Sequence, residues 1–341
     1  MTLASMIRPG IFLLLGCVLL PAQSSRYLAN IRQLTSGGQN AEAYWSPDGE
    51  ELVFQSTRGE HRCDQIYVMK SDGSDVRMVS TGKGATTCGY FLPGGDEILF
   101  GSTHEGGDAC PPRPDRSKGY VWAVYPSYDI FAVGRDGKGL RKLTTADGYD
   151  TEGTVNWKTK RIIYTSKASG DLELWSMSPD GSGKRQLTRS LGYDGGAFLS
   201  PDGEKMVWRA HHPSGEENIR KYKDLLAQDL TAPMRMEIFV ADSDGGGAKR
   251  ISDFGCASFA PQFTPDGKRI IFSSNRHDCD SRHFELFLMD LDGSNLRQVT
   301  DFGGFTSFPE FSPDGSKLVF TSDWKATGRY EFNIFVADWK E

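Results

Sequence analysis

The side chains with the most chemical potential in this sequence are its histidines, a few carboxylates and its cysteines. All six histidines (His61, His104, His211, His212, His277 and His283) fall just after a short apolar run or in the polar segment that follows it. Neutral imidazole is the commonest protein ligand for a metal ion. His211, His212 and His277 are therefore the candidate ligands for a divalent ion such as Zn, Mn or Ni. The competing reading is that exposed loops accept histidine more readily than β-core positions do, and no H-E-x-x-H or similar zinc spacing is present. Carboxylates gather in Tyr149-Asp150-Thr151-Glu152-Gly153 and Tyr193-Asp194-Gly195-Gly196. With Glu42, the residues Asp150, Glu152 and Asp194 are expected near one channel entrance, as acid and base or as cation ligands. Capped turns between strands would use the same residue types.

The elements that must position these groups are visible as a repeat. Trp45-Ser46-Pro47-Asp48-Gly49 leads into an apolar run ending at Phe54. The phrase returns before Phe100, Trp208, Phe272 and Phe320, each aromatic seven positions after its proline. A shortened copy without Pro-Asp-Gly runs from Trp157 to Tyr164. Proline presets φ for the first turn position, and Asp and Gly tolerate the reversal, so each phrase reads as a hairpin. A second hairpin follows each time, as in Ile66-Tyr67-Val68-Met69 before Asp72-Gly73 or Leu286-Phe287-Leu288-Met289 before Asp292-Gly293. A short edge strand of the type Arg141-Lys142-Leu143-Thr144 comes next. Four strands per repeat, at a period of about 50 residues, is the signature of a propeller blade.

Counting the copies gives an all-β, six-bladed propeller over residues 25–341. The last copy ends with Ile334-Phe335-Val336-Ala337-Asp338 and has no edge strand of its own. Arg32-Gln33-Leu34-Thr35 supplies it, closing the ring and removing an open edge. A monomer is expected.

Together, the S-P-D-G hairpin, the D-G hairpin and the R-x-L-T edge strand resemble the WD40-like PD40 repeats of the TolB propeller family. The resemblance covers essentially the whole chain after its first 24 residues. It departs from TolB in lacking an α/β domain before the first blade, since only Ser25 to Ile31 precede the first edge strand. Similar repeats form the non-catalytic propeller of prolyl-oligopeptidase-like proteases, but no hydrolase domain follows. A weaker resemblance is to the oligogalacturonate lyases, whose propellers hold a metal with histidines.

In a four-stranded blade, the loop between the two hairpins and the loop to the next blade emerge on one face. Both long insertions fall in the former: His104 to Asp129, with Arg113 and Trp122, and His211 to Met236. Loops elaborated on one face of a rigid scaffold are where recognition is expected. His104, Arg113, Trp122, Asp150, Glu152, Asp194, His211, His212 and His277 are the expected binding face. The second insertion predicts a helix in the fourth blade, with Ser214 and Glu217 at capping-box spacing and Ile219, Tyr222, Leu226 and Leu230 at helical intervals. That stripe packs onto the propeller or meets a partner.

The N-terminal 24 residues have the layout of a signal peptide: Arg8, an apolar core from Ile11 to Leu20, and Pro21-Ala22-Gln23-Ser24 as a small-residue cleavage site. Leu14-Leu15-Gly16-Cys17 also resembles a lipobox, though Cys17 is followed by apolar Val18-Leu19-Leu20. Export to the periplasm or beyond makes disulfides accessible. Cys256 and Cys279 belong to one blade and are an expected pair. Cys63, Cys88 and Cys110 occupy neighbouring blades, and any one of them can be the odd thiol left over. That thiol has no base assigned to it as a nucleophile.

Of the chain's 341 residues, 38% are hydrophobic and 25% charged, the net charge is -6, and no basic block is present, which argues against nucleic-acid binding. No G-x-S-x-G elbow, P-loop or dinucleotide fingerprint occurs. The expected function is an exported binding or scaffolding module for an envelope protein, peptide or polysaccharide, with no transmembrane span and no cofactor assigned. The alternative is a metal-dependent polysaccharide lyase or hydrolase with His211, His212 and His277 as ligands.

Overall fold

The computed structural model describes residues 26–115, 117, 119–233 and 235–340. The expected signal peptide, its Arg8 and Cys17 lie outside the described residues. The described strands form six antiparallel sheets of four strands, arranged as the blades of a propeller. The first blade runs from its inner strand Gln39–Trp45 through Glu51–Thr57 and Gln65–Lys70 to the edge strand Arg77–Met78. The next four repeat this order from inner strands Thr86–Phe91, Asp150–Asn156, Tyr193–Leu199 and Ser258–Phe263. In the sixth, Thr306–Phe311, Lys317–Ser322 and Asn333–Trp339 are joined by the N-terminal strand Leu28–Gln33.

That closing strand begins earlier than Arg32, with Leu28 opposite Trp339 and Gln33 opposite Phe335. Leu34 and Thr35 follow it without strand pairing but still bind the blade: Leu34 N–H donates to Ile334 O at 2.8 Å, and Ile334 N–H donates to Thr35 Oγ1 at 2.9 Å.

The repeat signatures have direct physical causes here. In the first-hairpin turns, Ser46, Ser200, Thr264 and Ser312 each donate a hydroxyl to the aspartate two positions on. Those hydroxyls also accept the N–H that opens the second strand, as in Glu51 to Ser46 Oγ at 2.9 Å. The edge-strand threonine or serine does a second job in every blade. Ser80, Thr144, Thr188, Ser252, Thr300 and Thr35 each accept the N–H of a third-strand residue 2.8–3.0 Å away. A side chain thereby completes pairing that a two-residue edge strand leaves open.

The core consists of apolar rows between neighbouring blades, with Phe54, Phe100, Trp208, Phe272 and Phe320 fully buried. These are the repeated aromatics seven positions after each proline. The single helix, Glu216–Leu226, lies in the fourth blade and buries Tyr222, Leu225 and Leu226. Its N-cap is Gly215 at φ 80°, and no side chain caps it, so the Ser214/Glu217 capping box does not form. No helix among the described residues is long and apolar enough to cross a membrane.

Candidate functional site

Each blade's inner strand has the same irregularity. Register against the second strand shifts at one point in all six, as a β-bulge does. At each bulge one residue takes a left-handed φ between 47° and 59°: Glu42, Cys88, Glu152, Gly196, Ala260 and Phe308. Ordinary strand residues alternate between the two faces of their sheet and pack against the blades on either side. The bulged residue is turned out of that alternation, and these six positions mark the bore.

Three of the six bring chemistry together. The Cys88 thiol lies against the Glu42 carboxyl, with Glu152 and Arg209 close enough to act on both electrostatically. Burial pushes Glu42 up to about 7, while Cys88 and Arg209 pull it back. Burial, then Glu42 and Glu152, drive the Cys88 thiol well above its ordinary range, so it stays protonated and unreactive as a nucleophile. Arg209 makes an ion pair with Glu152 and donates to Tyr193 OH at 2.9 Å. Burial alone would lower its pKa, but Glu152 and Tyr193 outweigh this and raise it. Glu152 also takes Thr165 Oγ1 at 2.7 Å, Tyr193 OH at 2.7 Å and Gly196 N–H at 3.1 Å.

Gly195 and Gly196 make room for this ion pair. A Cβ on Gly196 would lie 1.9 Å from Arg209 Nη1, and one on Gly195 2.5 Å from Glu152 Oε2. The fourth blade thus contributes no side chain at its own bulge; a guanidinium from its second strand fills the place.

Two residues further along the inner strands the bore is filled. Tyr44, Tyr90 and Phe198 meet with ring centroids 5.1–6.3 Å apart. Tyr90 OH donates to Glu310 Oε1 at 2.6 Å, and Trp45 N–H to Glu310 Oε2 at 2.7 Å. Burial raises Glu310 to about 8, so this carboxyl is neutral at physiological pH.

Above the bore, the two insertions pair with each other. Trp122–Ala123 forms a small antiparallel sheet with Leu230–Thr231, spanning from the second blade to the fourth. Trp122 is half-buried by this pairing, 5.5 Å over the Arg209 guanidinium and 5.5 Å from the Phe259 ring. Such a cation–π contact is worth on the order of 1–2 kcal/mol when desolvated.

Beside this wall opens a cleft of about 580 Å³, bounded by Arg62, Asp64, Arg113, Tyr125, Arg329 and Glu331 among others. The Cys63–Cys110 disulfide lines it and ties the first insertion to the first blade. The second disulfide joins Cys256 to Cys279, and Cys88 is the free cysteine among the described residues.

The structure distributes the expected face residues differently from their sequence logic. Glu152 and Trp122 converge at the bore, and Arg113 borders the cleft. Asp194 does not reach the bore: it is buried, accepting Trp208 Nε1–H at 2.6 Å and lying 3.1 Å from His212 Nε2. Asp150 is also buried, raised by that burial to about 6 and held by Ser166 and Thr144. Both precede the bulge, where side chains still face neighbouring strands.

The histidines do not assemble. His211 bonds Arg235 O at 2.9 Å, His277 bonds Gln298 Oε1 at 3.2 Å, and His104 bonds Ser102 Oγ at 2.8 Å. His104, His212 and His277 pack on Phe131, Phe239 and Phe287, equivalent third-strand aromatics of three different blades. Repeat equivalence places them apart around the ring. Among the described residues, no group of three His, Cys, Asp or Glu side chains is arranged to hold a metal ion.

Sequence reasoning missed Arg209 and gave Cys88 no partner. One signal for Arg209 was available: the fourth repeat carries Gly195-Gly196 where the first three carry Ala41-Glu42, Thr87-Cys88 and Thr151-Glu152. A missing side chain at a conserved geometric position implies that another group occupies it.

Comparison with known proteins agrees with this architecture. Residues 232–334 match the family model of the TolB beta propeller domain. TolB from Acinetobacter baumannii superposes with a TM-score of 0.58 at 16% identity, covering 81% of this chain and 58% of that one. The chain therefore spans somewhat more than half the length of that TolB. A TolB-type protein from Agrobacterium tumefaciens gives 0.61 at 19% identity, covering 93% and 100% of the two chains. An oligogalacturonate lyase in complex with manganese gives 0.54 at 12% identity, covering 93% and 96%. At these identities the likeness is one of fold. Blade count and repeat chemistry make this chain a six-bladed β-propeller, similar in fold to the TolB propellers and matching their domain model over residues 232–334.

Proposed function

We propose that the chain is an exported binding module that holds a protein, peptide or cell-envelope polymer on its loop-rich face. The observation carrying this reading is the pairing of the two insertions. They form a fixed wall, tied down by the Cys63–Cys110 disulfide, with a cleft beside it. A preformed concave surface on a rigid scaffold lowers the ordering cost of binding. Two disulfides fit an oxidising compartment such as the periplasm. The bore is already filled by its own aromatics and an internal ion pair, which favours recognition beside the channel over passage through it.

The metal-dependent lyase alternative draws on fold likeness to the manganese-bound lyase, but its three histidines are engaged separately. Elemental analysis of natively purified protein decides that point, since a stoichiometric metal would revive it.

Photo-crosslinking in the intact envelope tests the binding reading. A crosslinker placed at Tyr330, which is 48% exposed on the loop-rich face, is expected to capture a recurring partner. One placed at Asp266 or Asp314, in hairpin turns of the opposite face, is expected to capture none. Equal capture from both faces, or none from either, would remove the basis for the reading.

A further inference from the structure

The cleft beside the insertion wall has a charge pattern opposite to that of the whole molecule. The chain carries a net charge of -6. Yet Arg62, Arg113 and Arg329 border the cleft with their side chains exposed, and none of them forms an ion pair among the described residues. Arg329 donates to Tyr330 OH at 3.2 Å, a neutral partner.

The two carboxylates in the cleft offset them only in part, and both already accept hydrogen bonds from the wall. Glu331 accepts five hydrogen bonds, from Gly37 N, Asn333 Nδ2, Thr327 N, Thr327 Oγ1 and Gly328 N, at 2.8–3.1 Å. Asp64 takes the Thr57 hydroxyl and Gln55 Nε2, and burial raises its pKa while the Thr57 hydrogen bond lowers it. The donors to Glu331 hold it ionised, with its pKa lowered to about 2, so the outcome is a concave surface on which three guanidiniums outnumber two carboxylates that already accept from the wall.

The backbone carrying two of the arginines is also held in place. Arg113 sits in Cys110-Pro111-Pro112-Arg113-Pro114, where three prolines fix φ and keep the backbone extended. Tyr125 donates its hydroxyl to Pro112 O, pinning this stretch to the insertion. Arg62 immediately precedes Cys63, and Arg113 follows Cys110 by three residues. The Cys63–Cys110 bond therefore ties together the backbone segments that carry two of the three guanidiniums.

We propose that this cleft is a receptor for a carboxylate-rich polypeptide segment, whose side-chain carboxylates are gripped by Arg62, Arg113 and Arg329. This deepens the binding-module reading and rests on it. Guanidinium matches carboxylate geometry with two parallel hydrogen bonds. A neutral glycan fits less well, because it brings no negative charge to three guanidiniums that lack an ion-pair partner among the described residues.

The test is fluorescence anisotropy of a labelled oligoglutamate peptide with the full folded chain. Saturable binding is expected, weakening as ionic strength rises. The triple variant Arg62→Gln, Arg113→Gln, Arg329→Gln alters three exposed side chains, so it is expected to melt like the parent while binding about tenfold or more weakly. The pair Cys63→Ser, Cys110→Ser is expected to bind several-fold more weakly with all three arginines intact. Absence of binding, or a triple variant that binds like the parent, would overturn the proposal. So would inorganic phosphate or an oligogalacturonide competing better than unlabelled peptide. If Tyr330 crosslinks persist in the triple variant, the cleft chemistry is wrong while the binding-module reading stands.

Discussion

At the level of single residues, the tightest constraint in the bore falls on Gly196, whose absent side chain is the space that Arg209 Nη1 occupies. A Gly196→Ala substitution meets a left-handed φ of 59° and a guanidinium that cannot retreat without leaving Glu152. Breaking one side of a buried pair is costly because the remaining charge stays desolvated. The substitution is expected to cost about 3 kcal/mol in urea unfolding, and Trp122 fluorescence should change as its cation partner moves. A second prediction concerns Glu310, whose carboxyl burial raises to about 8. An unfolded glutamate ionises near 4.5, so between pH ~4.5 and ~8 unfolding releases a proton the folded state retains. Stability should therefore fall as pH rises through that window. Glu310→Gln mimics the neutral acid and should flatten the decline, gaining on the order of 3 kcal/mol relative to the parent at pH 8 compared with pH 5. Equal pH slopes for the two proteins would show that another group carries the titration.

At the level of elements, the edge strands show why a motif can be legible while its role is not. The R-x-L-T pattern marks the fourth strand in the sequence, and the strands appear where it occurs. What the pattern cannot convey is that its last residue reaches across to the neighbouring strand. Thr300 is an example: Oγ1 accepts Leu286 N–H at 2.9 Å and donates to the buried Glu285 at 2.6 Å. Thr300→Val keeps the shape but strands both groups, and should lower unfolding free energy by about 1–3 kcal/mol. Differential scanning calorimetry against the exposed control Thr145→Val would measure it. The helix illustrates the opposite case. Its apolar stripe was legible at Tyr222 and Leu226, but its cap was not, because Gly215 enters at a left-handed φ that spacing alone does not reveal.

At the level of the molecule, closure depends on ten residues of N-terminal chain gripping the C-terminal strand. Tyr27 stacks on Trp339 with centroids 5.6 Å apart, and the strand Leu28–Gln33 covers an otherwise open edge. Deleting residues 26–35 exposes that edge to another molecule. Light scattering should then show oligomers, which a peptide of the deleted sequence, added in trans, should reduce. The six-fold count and this clasp were readable because each repeat carries its own turn chemistry. The bore was not readable: Glu, Cys, Glu, Gly, Ala and Phe share no side-chain property, and only a backbone torsion makes them equivalent.

That torsion has a consequence for how such a ring can diversify. Six positions, one per blade, are set by main-chain geometry, and five of them carry a side chain while Gly196 leaves its place to Arg209. Because strand pairing resumes on both sides of every bulge, the lining at positions other than Gly196 can be rewritten one at a time without renegotiating the blades. Glu42, Cys88 and Glu152 are then one setting of a six-position register. Replacing Ala260 or Phe308 with Asn or Asp, residues that tolerate a left-handed backbone, would change the polarity of the bore lining on an intact scaffold.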